Sequence, residues 1–190
     1  MPANEALYIR VATPDDGGAL AEIYGPIVRD TSISFETDPP TGEIMAQRVE
    51  STTATHPYLA ATRSGRLVGY AYASKHRERA AYRWSVDVTI YVAPDAHRSG
   101  VGRALYGPLL SILRAQGFRN AFAGIALPNA GSVGLHEALG FAPVGIYRNV
   151  GFKHGSWHSV GWWGLELADG LETPGEPVAF PDIDVSRHLT

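Results

Sequence analysis

The sequence has no cysteine. That excludes disulfides, thiolate zinc sites and a cysteine nucleophile. It is also poor in charge: Lys and Arg number 16, Asp and Glu 19, and charged residues make up 18% of the chain, for a net charge of −3. A general nucleic-acid binder shows a basic excess, so no nucleic-acid partner is expected. No apolar run is long enough to span a bilayer, and the opening Met-Pro-Ala-Asn-Glu lacks the basic-then-apolar order of a secretory leader. The expectation is therefore a cytoplasmic chain with no membrane partner. Internal repeats are absent as well. What remains is 190 residues, 45% of them hydrophobic, enough for one domain with a sizeable core.

Residues 1–168 read as that domain, and residues 169–190, rich in Pro, Gly and acids, as a C-terminal extension lying outside the core. Strands are expected over 8–11, 58–62, 67–74, 86–92, 121–127, 142–149 and 157–167. Helices are expected from Thr13 to about Val28, from Thr41 to about Ser51, from near Gly100 to Gln116 and from Asn129 to Gly140. Thr31 to Pro40 reads as a polar loop, and Lys75 to Arg83 as a charged, irregular connection. Pro108 should kink the third helix. This mixed order predicts an α+β sandwich around one central sheet.

The clearest strand carries Val86, Val88, Ile90 and Val92 in alternation with Asp87, Thr89 and Tyr91. One face is apolar and the other can do chemistry. Next comes His97-Arg98-Ser99-Gly100-Val101-Gly102-Arg103 and then a helix stripe of Val101, Leu105, Leu109, Ile112 and Leu113. A Gly-rich turn entering a helix offers unobstructed backbone N–H groups to a pyrophosphate. No Asp or Glu occurs between Ala96 and His136 to oppose an anion. A dinucleotide fingerprint would need a small residue where Leu105 stands, and a P-loop would need Gly-Lys-Ser/Thr, which the chain lacks.

The loop resembles the cofactor motif of the GNAT superfamily of acetyltransferases, with His97 in place of the usual Gln or Arg. Asn129-Ala-Gly-Ser132, His136 and Gly140-Phe141 resemble its second block. Phe35-Glu36, Arg77-x-Arg79, Tyr82-x-Trp84, Tyr91-Val92, Leu135 to Gly140 and Gly151 to His158 narrow the resemblance to the phosphinothricin and methionine-sulfoximine N-acetyltransferase group, over about Tyr8 to Leu167. It implies a mostly antiparallel sheet of about seven strands with about four helices, acetyl-CoA as co-substrate, and a homodimer.

The resemblance also implies site residues. Asp87 stands where an acidic general base is usual. Its shorter side chain allows a bridging water, and an ion pair with Arg77 or Arg79 is the structural alternative. His136 stands where a general-acid Tyr is common. Ile90, Tyr91 and Val92 would present backbone N–H groups to the acetyl carbonyl and pantetheine. Arg98, Ser99, Gly100, Val101, Gly102 and Arg103 would hold the pyrophosphate, and Asn129 the pantetheine arm, besides being a good helix N-cap. Arg77 and Arg79 suit a substrate carboxylate or phosphinate, because guanidinium binds oxyanions bidentately. Phe35, Tyr82, Val88 and Thr89 would complete the substrate pocket. His154 and His158 lack a third ligand, so no metal is expected. The reaction expected is direct acetyl transfer to the α-amine of a small amino-acid analogue. Another small amine, or acyl-CoA binding with weak chemistry, are the alternatives.

Overall fold

The structure is a computed structural model that describes residues 6–169 and 173–189. The opening pentapeptide and parts of the extension, residues 170–172 and 190, lie outside the described residues. Seven strands form one sheet in the order β1-β2-β3-β4-β5-β7-β6. They are β1 (Leu7–Val11), β2 (Tyr58–Arg63), β3 (Arg66–Lys75), β4 (Ser85–Val92), β5 (Asn120–Leu127), β6 (Ala142–Lys153) and β7 (Ser156–Glu166). All neighbours are antiparallel except β4 and β5, which are parallel. The helices are α1 (Gly17–Asp30), α2 (Gly42–Thr53), α3 (Val101–Ala115) and α4 (Ala130–Glu137).

Local chemistry sets the helix starts. A short 3-10 turn, Pro14–Asp16, precedes α1, and the Asp16 carboxylate accepts from the Thr13 amide at 2.8 Å. Thr41 caps α2 through Ile44 N–H at 3.3 Å, and Asn129 caps α4 through Ser132 N–H at 3.1 Å. Helix α4 is shorter than expected, because the chain leaves the helical path at Ala138 and closes with Gly140 at φ +92°. Pro108 does not break α3, which runs on to Ala115. Pro costs about 3 kcal/mol in a helix interior. Seven residues of α3 are buried, each contributing about 1.5–3 kcal/mol when large and apolar, so packing outweighs the lost bond.

The extension departs from expectation. It is not a free appendage. Phe180 is 6% exposed and belongs to the core cluster, with Ile183, Val185 and Leu189 packed against it. The buried Gln116 at the end of α3 donates to the carbonyls of Thr55 and Val178 at 2.9 and 2.8 Å. A side chain with two donors and an acceptor at a helix end recruits backbone that composition alone marks as loop.

Candidate active site

The site begins where the sheet opens. β4 and β5 pair only over Ser85–Asn120, Val86–Ala121 and Asp87–Phe122. β4 pairs with β3 from Val86 to Val92. Ala93 N–H donates to the Val68 carbonyl at 2.9 Å. Antiparallel alternation then turns the backbone groups of Tyr91 and Thr89 toward β3, and those of Ile90 and Val92 away from it, into the gap. Tyr91 therefore differs from its neighbours: its amide belongs to the β3 ladder, and only Ile90 and Val92 face the opening. A narrow cavity of about 100 Å³ occupies this wedge, lined by Val88, Thr89, Ile90 and Tyr91 on one side and Ala123 to Ala126 on the other.

Side-chain alternation gives the two faces of β4 different neighbours. Ile90 points to α3, where it comes close to Gly102. Tyr91 points the other way, its ring 4.8 Å from that of Tyr24 in α1. Asp87 shares the face of Tyr91 and Thr89. Its carboxylate accepts from His76 Nδ1 at 2.6 Å, and the two side chains are 25% and 13% exposed. Burial pushes the Asp87 carboxyl above its ordinary value, and His76 and Arg77 only partly offset this. The ion pair considered for Asp87 with Arg77 or Arg79 is replaced by this pairing with His76.

Aromatic rings surround the pair. His76 stacks on Phe122 at 4.6 Å and meets Tyr82 at 5.9 Å and Trp162 at 6.2 Å, both edge-on. The Arg77 guanidinium lies 5.6 Å from the Trp162 ring. The indole N–H of Trp162 is buried without a hydrogen-bond partner among the described residues. A buried donor left unpaired costs roughly 1–3 kcal/mol, so it favours a ligand that brings an acceptor. Arg79 is the exposed N-cap of the 3-10 turn Ala80–Tyr82.

On the α3 side, His136 is 2% exposed. Its Nδ1 lies 2.8 Å from the Ser132 carbonyl and its Nε2 2.8 Å from the Tyr106 hydroxyl. A nitrogen facing a carbonyl must carry the proton, which leaves Nε2 to accept from Tyr106. Burial lowers the His136 pKa, so the ring is neutral near pH 7, with both nitrogens engaged. Both His136 and Tyr106 line the wedge. Burial also holds the Tyr106 hydroxyl protonated, its pKa far above the ordinary value.

Gly100 occupies the N-cap of α3 at φ +86°, a conformation that favours glycine, with open space where a Cβ would stand. No side chain caps this end, so its amides are free for an anion. Arg98 and Arg103 are exposed beside it. Gly102 has a different reason to be glycine: a Cβ would come 2.8 Å from Leu135 in α4. The Ser99 hydroxyl donates to the Ala96 carbonyl at 2.7 Å, and His97 Nε2 donates to the Val92 carbonyl at 3.0 Å. That second bond ties the loop to the open end of β4.

The Thr31–Pro40 loop is fastened from below. Buried Lys153 donates to the carbonyls of Val28 and Ser34 at 2.6 and 2.7 Å. Glu36 accepts from Arg48 through both oxygens at 2.9 Å, and from Tyr24 at 2.9 Å. Ile33 of this loop lines the wedge. Phe35 does not; its ring lies across Gly151 and 6.3 Å from His158.

Of the residues singled out in the sequence, Arg77, Tyr82 and Asp87 meet on one face. Val88, Thr89, Ile90, Tyr91, Asn129 and His136 line the wedge. Phe35 and Arg79 stand apart from both. Residues the sequence reading missed are His76, Tyr106, Phe122, Trp162 and Ile33. His76 was within reach of register: Ser74 pairs with Asp87, so His76 is its diagonal neighbour on the same face.

A protein-family model described as an acetyltransferase (GNAT) domain matches residues 9–162. A phosphinothricin N-acetyltransferase of Streptomyces viridochromogenes is 38% identical over 177 residues, 93% of this chain and 96% of the relative. An L-methionine sulfoximine/L-methionine sulfone acetyltransferase of Salmonella typhimurium is 31% identical over 84% of this chain and 94% of its own length. Among solved structures, a GNAT superfamily phosphinothricin acetyltransferase from Sinorhizobium meliloti, in complex with acetyl-CoA, superposes with a TM-score of 0.85 at 36% identity, covering 93% of this chain and 96% of that one. The open wedge, the uncapped α3 terminus and these matches agree: this chain belongs to the GNAT acetyltransferase family and is an N-acetyltransferase that uses acetyl-CoA.

Proposed function

We propose that the enzyme acetylates the α-amine of a small amino-acid analogue of the phosphinothricin or methionine sulfoximine type. The observation that carries this reading is the Asp87–His76 pair at the last paired position of β4 and β5, where the sheet begins to open, beside Arg77 and the unpaired Trp162 N–H. A base, a guanidinium and a free donor on one face suit a zwitterion that offers an ammonium and an oxyanion. The names of the relatives point to the same substrate class.

Acetyl-CoA supplies an activated acyl group. In our reading the uncapped amides of Val101, Gly102 and Arg103, with Arg98 and Ser99 alongside and Gly100 at the turn, hold its pyrophosphate. Asn129 faces the pantetheine arm, its cap to Ser132 leaving its amide N–H₂ free. Asp87 removes the proton from the amine, directly or through one water, and its raised pKa makes it a better base than an ordinary Asp. Ile90 N–H, aimed into the wedge, donates to the carbonyl oxygen as negative charge develops there; one such donor is worth roughly 3–4 kcal/mol. The departing thiolate takes its proton from the Tyr106 hydroxyl once that hydroxyl rotates away from His136 Nε2, to which it donates at rest. Thr89 and Val88 flank the amine, Tyr82 walls it, and Arg79 adds positive charge at the rim. Phe35 shapes the neighbouring hairpin.

We further propose a homodimer formed through β6. This edge strand exposes Val144, Ile146, Tyr147, Val150 and Phe152, each at least 50% exposed. An apolar edge of this length is an aggregation hazard unless a partner covers it. Ile146→Lys is expected to shift the dimer to monomer in sedimentation; an unchanged dimer would place the interface elsewhere. We assign the enzyme to the cytoplasm, the compartment that supplies its acetyl donor.

A thiol-release assay with phosphinothricin, methionine sulfoximine and methionine sulfone tests the substrate. Release matched by acetylated product is expected for at least one of them. Turnover of a different amine alone would remove the substrate assignment. Acetyl-CoA binding with no turnover of any amine would make the chain an acyl-CoA binder.

A further inference from the structure

The C-terminal segment reaches the amine side of the site. Two parts of it do different work. Downstream, Val178 N–H donates to the Gln116 carbonyl at 2.8 Å, Phe180 N–H to the Thr55 carbonyl at 3.2 Å, and Ser111 and His188 are bonded at 2.8 Å. With Phe180 buried, these contacts anchor the segment on α3 and on the end of α2. Upstream, the Gly175 carbonyl accepts from the Trp84 indole N–H at 2.7 Å. Glu176 meets Arg83 at 3.1 Å, and the Arg83 guanidinium lies 4.5 Å from the Trp84 ring.

Trp84 is a junction. Its side chain goes to the tail, while its carbonyl accepts from the amides of Arg119 and Asn120 at 2.8 and 3.3 Å, where β5 begins. Immediately before it runs the segment 76–83, which carries His76, Arg77, Arg79 and Tyr82. Residues 77–83 are all exposed. His76 is bonded to Asp87, and beyond it the hydrogen bonds of the segment up to Tyr82 are local: Lys75 to Glu78, Arg77 to the His76 carbonyl, and the 3-10 turn itself. Its C-terminal end, three residues before Asp87, is therefore held at Trp84 from two sides, by the start of β5 through the backbone and by the tail through the side chain.

We propose that residues 173–189 form a strap that positions the amine-binding segment, with Trp84 as the positioning residue through which it acts. The identity of that segment rests on the proposed function. The strap itself rests on the contacts above. A strap anchored in the core and bonded to Trp84 limits how far Arg77 and Tyr82 can move from Asp87. Among the described residues none of its bonds reaches the α3 terminus at Gly100, so it should affect the amine and not acetyl-CoA.

The test uses the full chain with Trp84→Phe, which keeps a ring for Arg83 and removes only the N–H donor. One net hydrogen bond corresponds to roughly a three- to tenfold effect. Amide hydrogen exchange over residues 76–84 is expected to quicken by about that factor, with exchange over 101–113 unchanged. The KM for the amine is expected to rise to a similar extent while the KM for acetyl-CoA stays constant. Glu176→Gln should move both readouts in the same direction by less, since that pair is exposed. Unchanged exchange over 76–84 overturns the strap. Faster exchange with an unchanged amine KM, or an equal rise in both KM values, overturns its role at the site. If the parent chain acetylates no amino-acid analogue, the proposed function fails, and exchange alone decides the strap.

Discussion

The two ends of β4 are built differently. At Val86 and Asp87 the strand has a neighbour on each side. From Val88 to Val92 it keeps β3 and loses β5. The doubly paired end fixes Asp87 in the sheet, and His76, just past the end of β3, is bonded to it. The singly paired end turns the backbone of Ile90 and Val92 away from β3, and Ile90 lines a cavity there. A sheet gives up hydrogen bonds only where something else satisfies them, so the open end is where a ligand belongs. Beside the opening stand the Asn129 cap of α4, the Tyr106–His136 pair, and Leu135 of α4 packed close to Gly102.

The comparison can be broken first at the closed end. Asp87→Asn keeps an acceptor for His76 and removes the base. We expect kcat to fall by about 10²–10⁴-fold. The fold should survive. In the folded chain Asp87 holds its proton to a higher pH than an unfolded Asp, whose pKa is about 3.9. The unfolded state therefore releases its proton first, and stability falls as pH rises through that window. At neutral pH the ionised carboxylate is a cost, so thermal melting of Asp87→Asn should show no loss. For the same reason the acid limb of kcat/KM should lie above the ordinary carboxylate range in the parent and vanish in the variant.

Lys153→Met probes the support of the open end. It removes two bonds to buried carbonyls under the Thr31–Pro40 loop, which carries Ile33 into the wedge. The expected loss is about 2–3 kcal/mol, read as a Tm lower by roughly 4–12 °C. A shift of under one degree would show that the loop is held by Glu36 alone.

Acid sharpens the contrast from the α3 side. Burial lowers the His136 pKa below its unfolded value of about 6.5. Its stabilisation is complete above that pH and is lost as pH falls toward the lower, folded pKa. Chemical denaturation between pH 7 and pH 5 should show this decline, and His136→Gln should flatten it. Gly102→Ala is the smallest change. Leu135 can swing aside, so we expect about 1 kcal/mol of destabilisation. The KM for acetyl-CoA should rise more than the KM for the amine.

Much of the frame was legible in the sequence. The period-two run from Val86 to Val92, the apolar stripe from Val101 to Leu113, and the caps at Thr41 and Asn129 are local signals, and each appears as read. What escaped was long-range. His76 becomes the partner of Asp87 only through strand register, and Trp162 reaches it from a strand some 85 residues later. Gly102 reads as a phosphate glycine until α4 packs on it. The tail reads as loose because it is rich in Pro, Gly and acids, yet Gln116 bonds to it and Phe180 is buried in the core. His136 reads as a free acid until Ser132 and Tyr106 are seen to engage both its nitrogens.

A crystal structure with acetyl-CoA bound tests the asymmetry of β4 most directly. The account predicts the pantetheine arm between β4 and β5, with Ile90 and Val92 N–H groups within hydrogen-bonding distance of it and the Tyr91 N–H still paired to β3. An arm lying outside the wedge, with β5 zipped onto β4 past Asp87, would contradict it.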